Sequence, residues 1–296
     1  MGGVASEREV SLDSGRNVAA ALAATGRYEV VSVVFDEESI DCLPAGVDAV
    51  YIALHGGWGE NGGIQSALDA AGIPYTGPGA AAAAVTMDKI KTKMVLEMKG
   101  VPTPAWSLAG VGLAKSPLPL PVVVKPPRDG SSVGMSKVGA AAEWPAALDK
   151  ALAAAGGGEI LVEEYIPGRE ATVAVVDGKA LPPIEIVARG GWYGYDEKYN
   201  SDETRYPAVE DGALAEKLKT AALEAWKALG CRGVSRIDFR ISPVGRLYVL
   251  EANASPGMTA HSLVPKAAAA AGIGFGELCT MILESARFDG SGGKAG

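Results

Sequence analysis

The chain has 296 residues, a net charge of −8, and 48% hydrophobic and 21% charged residues. This length predicts two or three domains, and the acidic balance without a stripe of lysines and arginines argues against a nucleic-acid-binding surface. No segment reaches about 18 consecutive apolar residues, and the three scattered cysteines fit neither a disulfide framework nor a zinc site, so we expect a cytoplasmic protein without a membrane span.

The first third of the chain alternates helix and strand patterns. It predicts a helix at Asp13–Thr25, with Asp13 as N-cap and Gly26 as the stop, and a second helix at Gly62–Ala71. Short apolar runs lie around these helices, at Glu29–Phe35, Ala49–Leu54 and Ile73–Tyr75. Short apolar runs separated by helices favour a parallel, doubly wound sheet of the α/β class.

No strand is predicted before the first helix of this sheet. Gly2-Gly3 resembles a glycine-rich turn that follows a strand, yet only Met1 precedes it. The first strand of the sheet is therefore expected to be missing, which would leave backbone groups of its neighbours unpaired. We hypothesise that the biological start lies upstream of Met1. The residues after Met1 also lack the basic and apolar pattern of a signal peptide.

The rest of the chain predicts further helices and strands and two polar loops. Helices are predicted at Asp88–Lys99 and Gly212–Leu229, and strands at Pro121–Lys125, Glu159–Glu164, Ala171–Val176, Arg236–Ile241 and Arg246–Glu251. Residues 128–134 form a Gly/Ser loop. Residues 190–206 form an aromatic, glycine-rich loop whose length is typical of a lid over a functional site. The tail at 290–296 is predicted to be disordered.

Two strands near the end could bring oxygen ligands together. Arg236 and Asp238 lie two residues apart on one strand, and Glu251 and Asn253 lie two apart on the next, so each pair shares a face. If Ser242–Gly245 forms a hairpin turn, the carboxylate and amide oxygens converge. Such oxygens suit Mg²⁺. On this pattern alone, a solvated pair of acids remains the alternative to a metal site.

Lysines and histidines give weaker signals. Lys125 ends a strand just before the Gly/Ser loop, where it could hold a phosphate together with backbone N–H groups; a surface lysine before a turn is the alternative. The loop lacks the spacing of a Walker P-loop, and Lys89 is a weaker phosphate candidate still. The two histidines, His55 and His261, have no clustered cysteines beside them and predict no zinc site.

Short segments along the whole chain form a series with a specific order and spacing. They are Gly2-Gly3 with Ser6–Leu12, His55–Gly57 with Gly59–Gly62, Ile73–Gly77, Met87–Lys89, Val124–Pro126, Gly130–Lys137, Gly168–Glu170, Tyr195–Tyr199, Arg236–Phe239, Leu250–Asn253, Ser255–Thr259 and His261-Ser262. In this order the series resembles the D-alanine–D-alanine ligase family of the ATP-grasp superfamily. The resemblance covers nearly the whole chain.

The resemblance implies an ATP-grasp fold and a stepwise ligation. Its parts would be an N-terminal doubly wound substrate domain at 1–78, a central ATP-grasp subdomain at 79–166, a C-terminal subdomain with the lid and metal site at 167–288, and a flexible tail at 289–296. ATP would phosphorylate the carboxylate of one D-alanine, and the amine of a second would attack the acyl phosphate. The product, D-alanyl-D-alanine, would serve peptidoglycan synthesis. The family resemblance also implies a homodimer.

The resemblance assigns residues to ATP and metal binding. Lys89, Lys125 and Lys198 would contact the phosphates, under a loop that includes Gly130 and Ser132. The adenine would lie at an interdomain hinge lined by Glu163, Glu164, Tyr165 and Ile166. Glu170 would bind the ribose hydroxyls. Two Mg²⁺ or Mn²⁺ ions would neutralise charge on the transferring phosphoryl group, held by Asp238, Glu251 and Asn253.

The resemblance also assigns residues to the two amino acids. Glu7 would pair with the ammonium of the first D-alanine, in a site that includes His55. Arg236 and the N–H of Gly257 would stabilise the oxyanion of the tetrahedral intermediate. The carboxylate of the second D-alanine would bind Ser262 and the N–H of Leu263. Hydrogen bonds would link the lid to Glu7 and exclude water, through Ser131 and Tyr199.

The nucleophile and three alternative functions can be weighed from the same residues. Depsipeptide-forming relatives usually lack the Lys198-Tyr199 pair that this chain has, so we favour an amine over a hydroxyl nucleophile. The nearest alternative is another ATP-grasp carboxylate–amine ligase or a D-alanyl-D-X ligase, against which Glu7, Arg236 and Ser262 argue. A non-catalytic nucleotide-binding module would not need the acids near the end of the chain. A dehydrogenase-type dinucleotide domain would need a GxGxxG segment with an acid for the ribose at the required spacing downstream, and this sequence has no such combination.

Overall fold

The structure is a computed structural model that describes residues 1–128, 130, 132–188, 193–194 and 203–289. Its helices are α1 Arg8–Ala24, α2 Gly57–Glu60, α3 Gly63–Ala71, α4 Ala80–Met87, α5 Lys89–Met98, α6 Trp144–Ala155, α7 Gly212–Ala228, α8 Leu263–Ala270 and α9 Phe275–Glu284. Its strands are β1 Trp106–Ala109, β2 Val122–Lys125, β3 Ser136–Val138, β4 Ile160–Glu164, β5 Arg169–Val176, β6 Lys179–Ala180, β7 Ile184–Ile186, β8 Val234–Ile241 and β9 Leu247–Asn253.

The N-terminal part holds its extended segments in parallel through single bridges. Gly2 bridges Phe35, and Val50 bridges Tyr75. The backbone N–H of Phe35 donates to the carbonyl of Met1 at 2.9 Å, and that of Gly3 donates to the carbonyl of Phe35 at 2.8 Å. Met1 to Gly3 therefore form a short extended segment where the sequence predicted no strand. The run at 29–35 pairs here through this bridge rather than as a continuous strand.

Helix α1 begins at Arg8, so the prediction that Asp13 caps it was wrong. The carboxylate of Asp13 instead accepts a hydrogen bond from Arg16 on the helix surface, at 2.8 Å. The buried face of the first turns could not be recognised in the sequence, because it contains serines. Ser11 is fully buried, accepting from the N–H of Gly2 at 2.8 Å and donating to the carbonyl of Ala53 at 2.6 Å. A buried polar residue with satisfied hydrogen bonds gives no apolar signal in the sequence.

Two antiparallel sheets form the rest of the frame. The first has the strand order β1-β4-β2-β3, and α6 covers it with the buried residues Trp144, Leu148 and Ala151. The second has the order β6-β5-β8-β9, with β7 also paired to β5. One side of the second sheet packs on α7, and the other side packs on α1, α8 and α9. Each large apolar side chain buried in these layers contributes about 1.5–3 kcal/mol.

Helices α8 and α9 belong to the core shared with α1. Val264, Ala267, Leu278 and Ile282 are buried there together with Leu22. In the described part of the chain, no single helix is long and apolar enough to cross a membrane, although α8 and α9 together reach that length and apolarity across a bend of 108°. Their burial in the core accounts for their apolar composition.

Candidate active site

A cleft opens between the two sheets where β4 passes into β5. It contains about 860 Å³ of empty space, part of it open to solvent. Apolar side chains on its walls include Val123, Pro126, Met135 and Leu250, and charged side chains include lysines, acids and one arginine. Apolar walls with a few placed charges fit a ligand that combines an aromatic base with phosphates.

The β8–β9 hairpin supplies the acids of the cleft, as its sequence predicts. The N–H of Gly245 closes the turn on the carbonyl of Ser242 at 2.8 Å. Asp238 lies directly opposite Glu251 in the antiparallel register, and Arg236 lies opposite Asn253. Directly opposed residues point to the same face of a sheet. The register therefore places Asp238, Glu251 and Asn253 on one face of the hairpin, and their role as metal ligands stays a prediction.

Each acid of this pair contacts a cation. Arg236 donates from Nε to Oδ1 of Asp238 at 2.9 Å and from a terminal nitrogen to Oδ2 at 2.8 Å. Thr172 donates to the same Oδ1 at 2.6 Å. Although burial opposes the charge of Arg236, Asp238 and Glu251 raise its pKa above the usual range. Nζ of Lys89 lies 3.4 Å from a carboxylate oxygen of Glu251.

The donor set fits Mg²⁺ better than a softer metal. Within the described ranges, no cluster of three or more His, Cys, Asp or Glu side chains forms a complete metal cage. The candidate donors are two carboxylates and one amide, from Asp238, Glu251 and Asn253, and Oδ1 of Asn253 accepts from the N–H of Ser255 at 3.1 Å. Mg²⁺ binds oxygen and commonly completes its shell with water and substrate phosphates. The protein therefore needs to supply only some of the oxygen ligands of such an ion.

Glu163 joins two lysines beneath the cleft. Its carboxylate contacts Nζ of Lys125 on one oxygen and Nζ of Lys93 on the other. Lys93 is fully buried and also donates to Oγ1 of Thr103 at 2.5 Å. Burial alone would raise the pKa of Glu163, but Lys125 and Lys93 hold it below its usual range. The side chain of Glu163, predicted to line the adenine pocket mainly by its backbone, therefore anchors the phosphate-binding candidate Lys125.

Burial lowers the pKa of Lys93 to about 8, against the attraction of Glu163. Burial also opposes the charge of Lys125, yet Glu163 and Glu251 raise its pKa above the ordinary value. Lys125 is thus held as a cation at the edge of the cleft. The sequence analysis missed Lys93, because a lysine inside a helix gives no signal of a buried partner on a distant strand.

The predicted nucleotide hinge lies where β4 leaves the first sheet. Glu164, Tyr165, Ile166 and Glu170 all line the cleft, as do Lys89, Gly130 and Ser132. Ser132 has φ of 60°, a left-handed conformation that is uncommon outside glycine and occurs in tight loops around ligands. The sequence analysis missed Arg240, which reaches Glu170 at 3.1 Å.

Glu7 approaches the Gly/Ser loop from the N-terminal part. A Cβ added to Gly130 would lie 3.1 Å from Oε2 of Glu7, and one added to Gly56 would lie 2.6 Å from the same oxygen. A side chain at Gly56 would displace the carboxylate of Glu7, and one at Gly130 would crowd it. Ser131 and Tyr199, predicted to link the lid to Glu7, and Lys198, predicted to reach the γ-phosphate, lie outside the described residues. At the base of the predicted lid, Val187 and Arg205 exchange two backbone hydrogen bonds at 2.9 and 3.0 Å.

Gly257, Ser262 and Leu263 come together at the start of α8. A Cβ on Gly257 would lie 2.7 Å from Oγ of Ser262, so the backbone of Gly257 and the hydroxyl are neighbours. Oγ of Ser262 accepts the N–H of Thr259 at 3.0 Å. Leu263 is the first residue of the helix, where backbone N–H groups favour an anion. This arrangement suits a carboxylate.

His55 lies behind the turn that contains Gly257. Its Nδ1 is 2.9 Å from the carbonyl of Ser255, and its Nε2 is 3.0 Å from Oγ of Ser14. The same Oγ accepts the N–H of Met258 at 3.1 Å. Both ring nitrogens thus contact protein groups, which gives His55 a supporting position. Its predicted contact with substrate stays a prediction.

Comparison with known proteins identifies the family that uses this arrangement. One family model, D-ala D-ala ligase C-terminus, matches residues 96–284, and another, D-ala D-ala ligase N-terminus, matches residues 37–78. The chain belongs to the D-alanine–D-alanine ligase family. It is 46% identical to the D-alanine–D-alanine ligase of Bordetella pertussis, over 96% of this chain and 93% of that protein. It is 43% identical to that of Herminiimonas arsenicoxydans, over 97% and 90%.

Solved structures of the ligase family confirm the predicted ATP-grasp fold. The D-alanine–D-alanine ligase of Bacillus anthracis complexed with ATP superposes with a TM-score of 0.82 at 34% identity, over 96% of this chain and 94% of that one. A second structure of the Bacillus anthracis ligase gives the same TM-score and identity, over 96% and 95%. The family and its fold are therefore those that the series of sequence segments resembles.

Proposed function

We propose that this chain joins two D-alanines into D-alanyl-D-alanine, with ATP as the energy source and D-alanyl phosphate as the intermediate. One observation carries the proposal: Lys89, Lys125 and the paired acids Asp238 and Glu251 line the same cleft, and Arg236 is paired with Asp238. Phosphoryl transfer needs cations that grip the phosphates and ligands for Mg²⁺ on one side of the transferring group. Membership of the ligase family agrees with this chemistry.

In the first step, the phosphates of ATP lie between Lys89 and Lys125, and the base lies at the hinge formed by Glu164 to Ile166. Asp238, Glu251 and Asn253 would hold two Mg²⁺ or Mn²⁺ ions, which supply charge neutralisation at the phosphoryl group. Glu7 binds the ammonium of the first D-alanine and so orients its carboxylate toward the γ-phosphate. An oxygen of that carboxylate attacks phosphorus, and ADP leaves.

In the second step, Ser262 and the N–H of Leu263 hold the carboxylate of the second D-alanine. Its amine attacks the carbonyl carbon of the acyl phosphate. Arg236 and the N–H of Gly257 stabilise the oxyanion that forms, and phosphate departs with the oxygen that came from the carboxylate. Lys198 would reach the γ-phosphate, and closure by Gly130, Ser131 and Tyr199 would keep water from the acyl phosphate.

In this proposal the protein is a cytoplasmic homodimer. Its dipeptide product is used for peptidoglycan precursors. Sedimentation of the purified protein tests the dimer. Release of phosphate from Mg-ATP, compared between D-alanine, L-alanine, D-serine and D-lactate, tests the substrate. Release that requires D-alanine, with D-alanyl-D-alanine as the product, supports the proposal. Faster release with another acceptor would identify a different ligase of the same fold.

A further inference from the structure

Arg240 is the most connected cation of the cleft that none of the steps above uses. It lies on β8 on the same face as Arg236 and Asp238, four and two residues further along the strand respectively, and only 6% of it is exposed. In the register of the second sheet it stands directly opposite Glu170 of β5. It therefore faces the nucleotide side of the cleft rather than the core.

The guanidinium of Arg240 ties three hinge residues to the proposed ribose acid. Nε donates to the carbonyl of Ile166 at 3.0 Å, and one terminal nitrogen donates to the carbonyl of Gly168 at 3.2 Å and to the hydroxyl of Tyr165 at 3.3 Å. The other terminal nitrogen donates to Oε2 of Glu170 at 3.1 Å. Four of the five N–H donors of an arginine are thus used on one short segment. A lysine cannot reproduce this fork.

The hinge segment also contacts both sheets directly. Gly168 has φ of 117°, and a Cβ there would lie 2.2 Å from the carbonyl of Ile241. From the first sheet, Nζ of Lys137 lies 3.8 Å from the centre of the Tyr165 ring. Arg240 joins the carboxylate of Glu170 to the hinge backbone, because it contacts both through one planar group.

Given the proposed ATP site, we propose that Arg240 is a positioning residue that makes the cleft selective for ribonucleotides. A carboxylate binds the two neighbouring hydroxyls of a ribose only when it lies within hydrogen-bond distance of both. Arg240 holds Glu170 at that place, so its loss reduces affinity for a nucleotide with a 2′-hydroxyl more than for one without it. The guanidinium acts through Glu170 and the hinge and does not enter the reaction.

The test measures binding of ATP and of 2′-deoxy-ATP in the presence of Mg²⁺ and without D-alanine, by calorimetry, on the full chain. Variants are Arg240→Met, Arg240→Lys, Glu170→Gln and the double variant Arg240→Met with Glu170→Gln. Arg246→Met is the matched control, since Arg246 is exposed on the β8–β9 turn and lies outside the cleft. Thermal melting reports whether each variant folds. If Arg240→Met does not fold, Arg240→Lys replaces it in the comparison.

We expect Arg240→Met to weaken ATP binding about tenfold, as for loss of a charge-assisted hydrogen bond, and to weaken 2′-deoxy-ATP binding much less. The double variant should bind ATP no more weakly than Glu170→Gln does. Equal loss for both nucleotides, or unchanged ATP binding in Arg240→Met and Arg240→Lys, would overturn the inference. A wild-type protein that binds neither nucleotide would overturn the proposed function as well, whereas ATP binding without ligation would leave this inference standing and refute only the proposed substrate.

Discussion

Arg236 forms a two-point ion pair with Asp238, which lines the cleft, with nitrogen–oxygen distances of 2.9 and 2.8 Å. The pair joins the proposed oxyanion donor to a proposed metal ligand on one strand. Arg236 is therefore placed by the same carboxylate that would bind the ion. A change to either residue should affect both oxyanion stabilisation and metal binding.

Arg236→Ala should reduce kcat by about 100- to 1,000-fold, the usual loss for one oxyanion donor. It also leaves the charge of Asp238 without its guanidinium. Phosphate release from Mg-ATP at saturating D-alanine measures the effect, with the exposed Arg246→Ala as the control. A loss below about tenfold would remove Arg236 from the oxyanion site.

Asp238→Asn should raise the Mg²⁺ concentration needed for nucleotide binding by about tenfold or more, because the amide is a weaker ligand for a hard cation. Titration of Mg²⁺ at fixed ATP, followed by calorimetry, measures this without turnover. Asp149→Asn, at an exposed acid of α6, is the matched control. Equal Mg²⁺ dependence in both variants would show that Asp238 binds no ion.

Gly257→Ala should lower kcat/KM for D-alanine by about 100-fold, since the new Cβ would lie 2.7 Å from Oγ of Ser262 and displace the carboxylate subsite. Gly212→Ala is the control, because a Cβ at that first residue of α7 meets no atom within 4 Å. Steady-state kinetics over a range of D-alanine concentrations distinguish the two. Normal kinetics in Gly257→Ala would separate this turn from substrate binding.

The sequence predicted the hairpin of β8 and β9 well, since its polar residues alternate on one face and a short turn joins the strands. It did not predict α4, α6 or α8, because their alanine-rich segments lack a clear apolar period, and it did not predict α9. The start of α1 was missed for the opposite reason, as Ser11 is polar yet buried.

The residues around the site divide in the same way. Asp238, Glu251 and Arg236 could be placed together from strand spacing alone. Arg240 continues that spacing by two residues and could have been found from it. Lys93 could not, because its partner Glu163 lies far away in sequence and only the tertiary structure brings the two side chains together.

Lys93→Met should change how stability depends on pH above neutrality. Burial lowers the pKa of Lys93 from its ordinary 10.5 to about 8, so the unfolded chain binds this proton more tightly than the folded one. Between these two values the unfolded state holds more protons, and the free energy of unfolding rises with pH by at most about 1.4 kcal/mol per pH unit. Urea unfolding at pH 7 to 10 should show this rise in the wild type and not in the methionine variant. Parallel curves would contradict the burial of a charged Lys93.

The most direct test of the central claim is transfer of a heavy oxygen isotope from the carboxylate of D-alanine to phosphate. Ligation through an acyl phosphate breaks a carbon–oxygen bond of the first D-alanine, so each turnover should place one labelled oxygen in the released phosphate, which mass spectrometry detects. D-alanyl-D-alanine should appear in equal amount. Dipeptide formed with unlabelled phosphate would contradict the acyl-phosphate route.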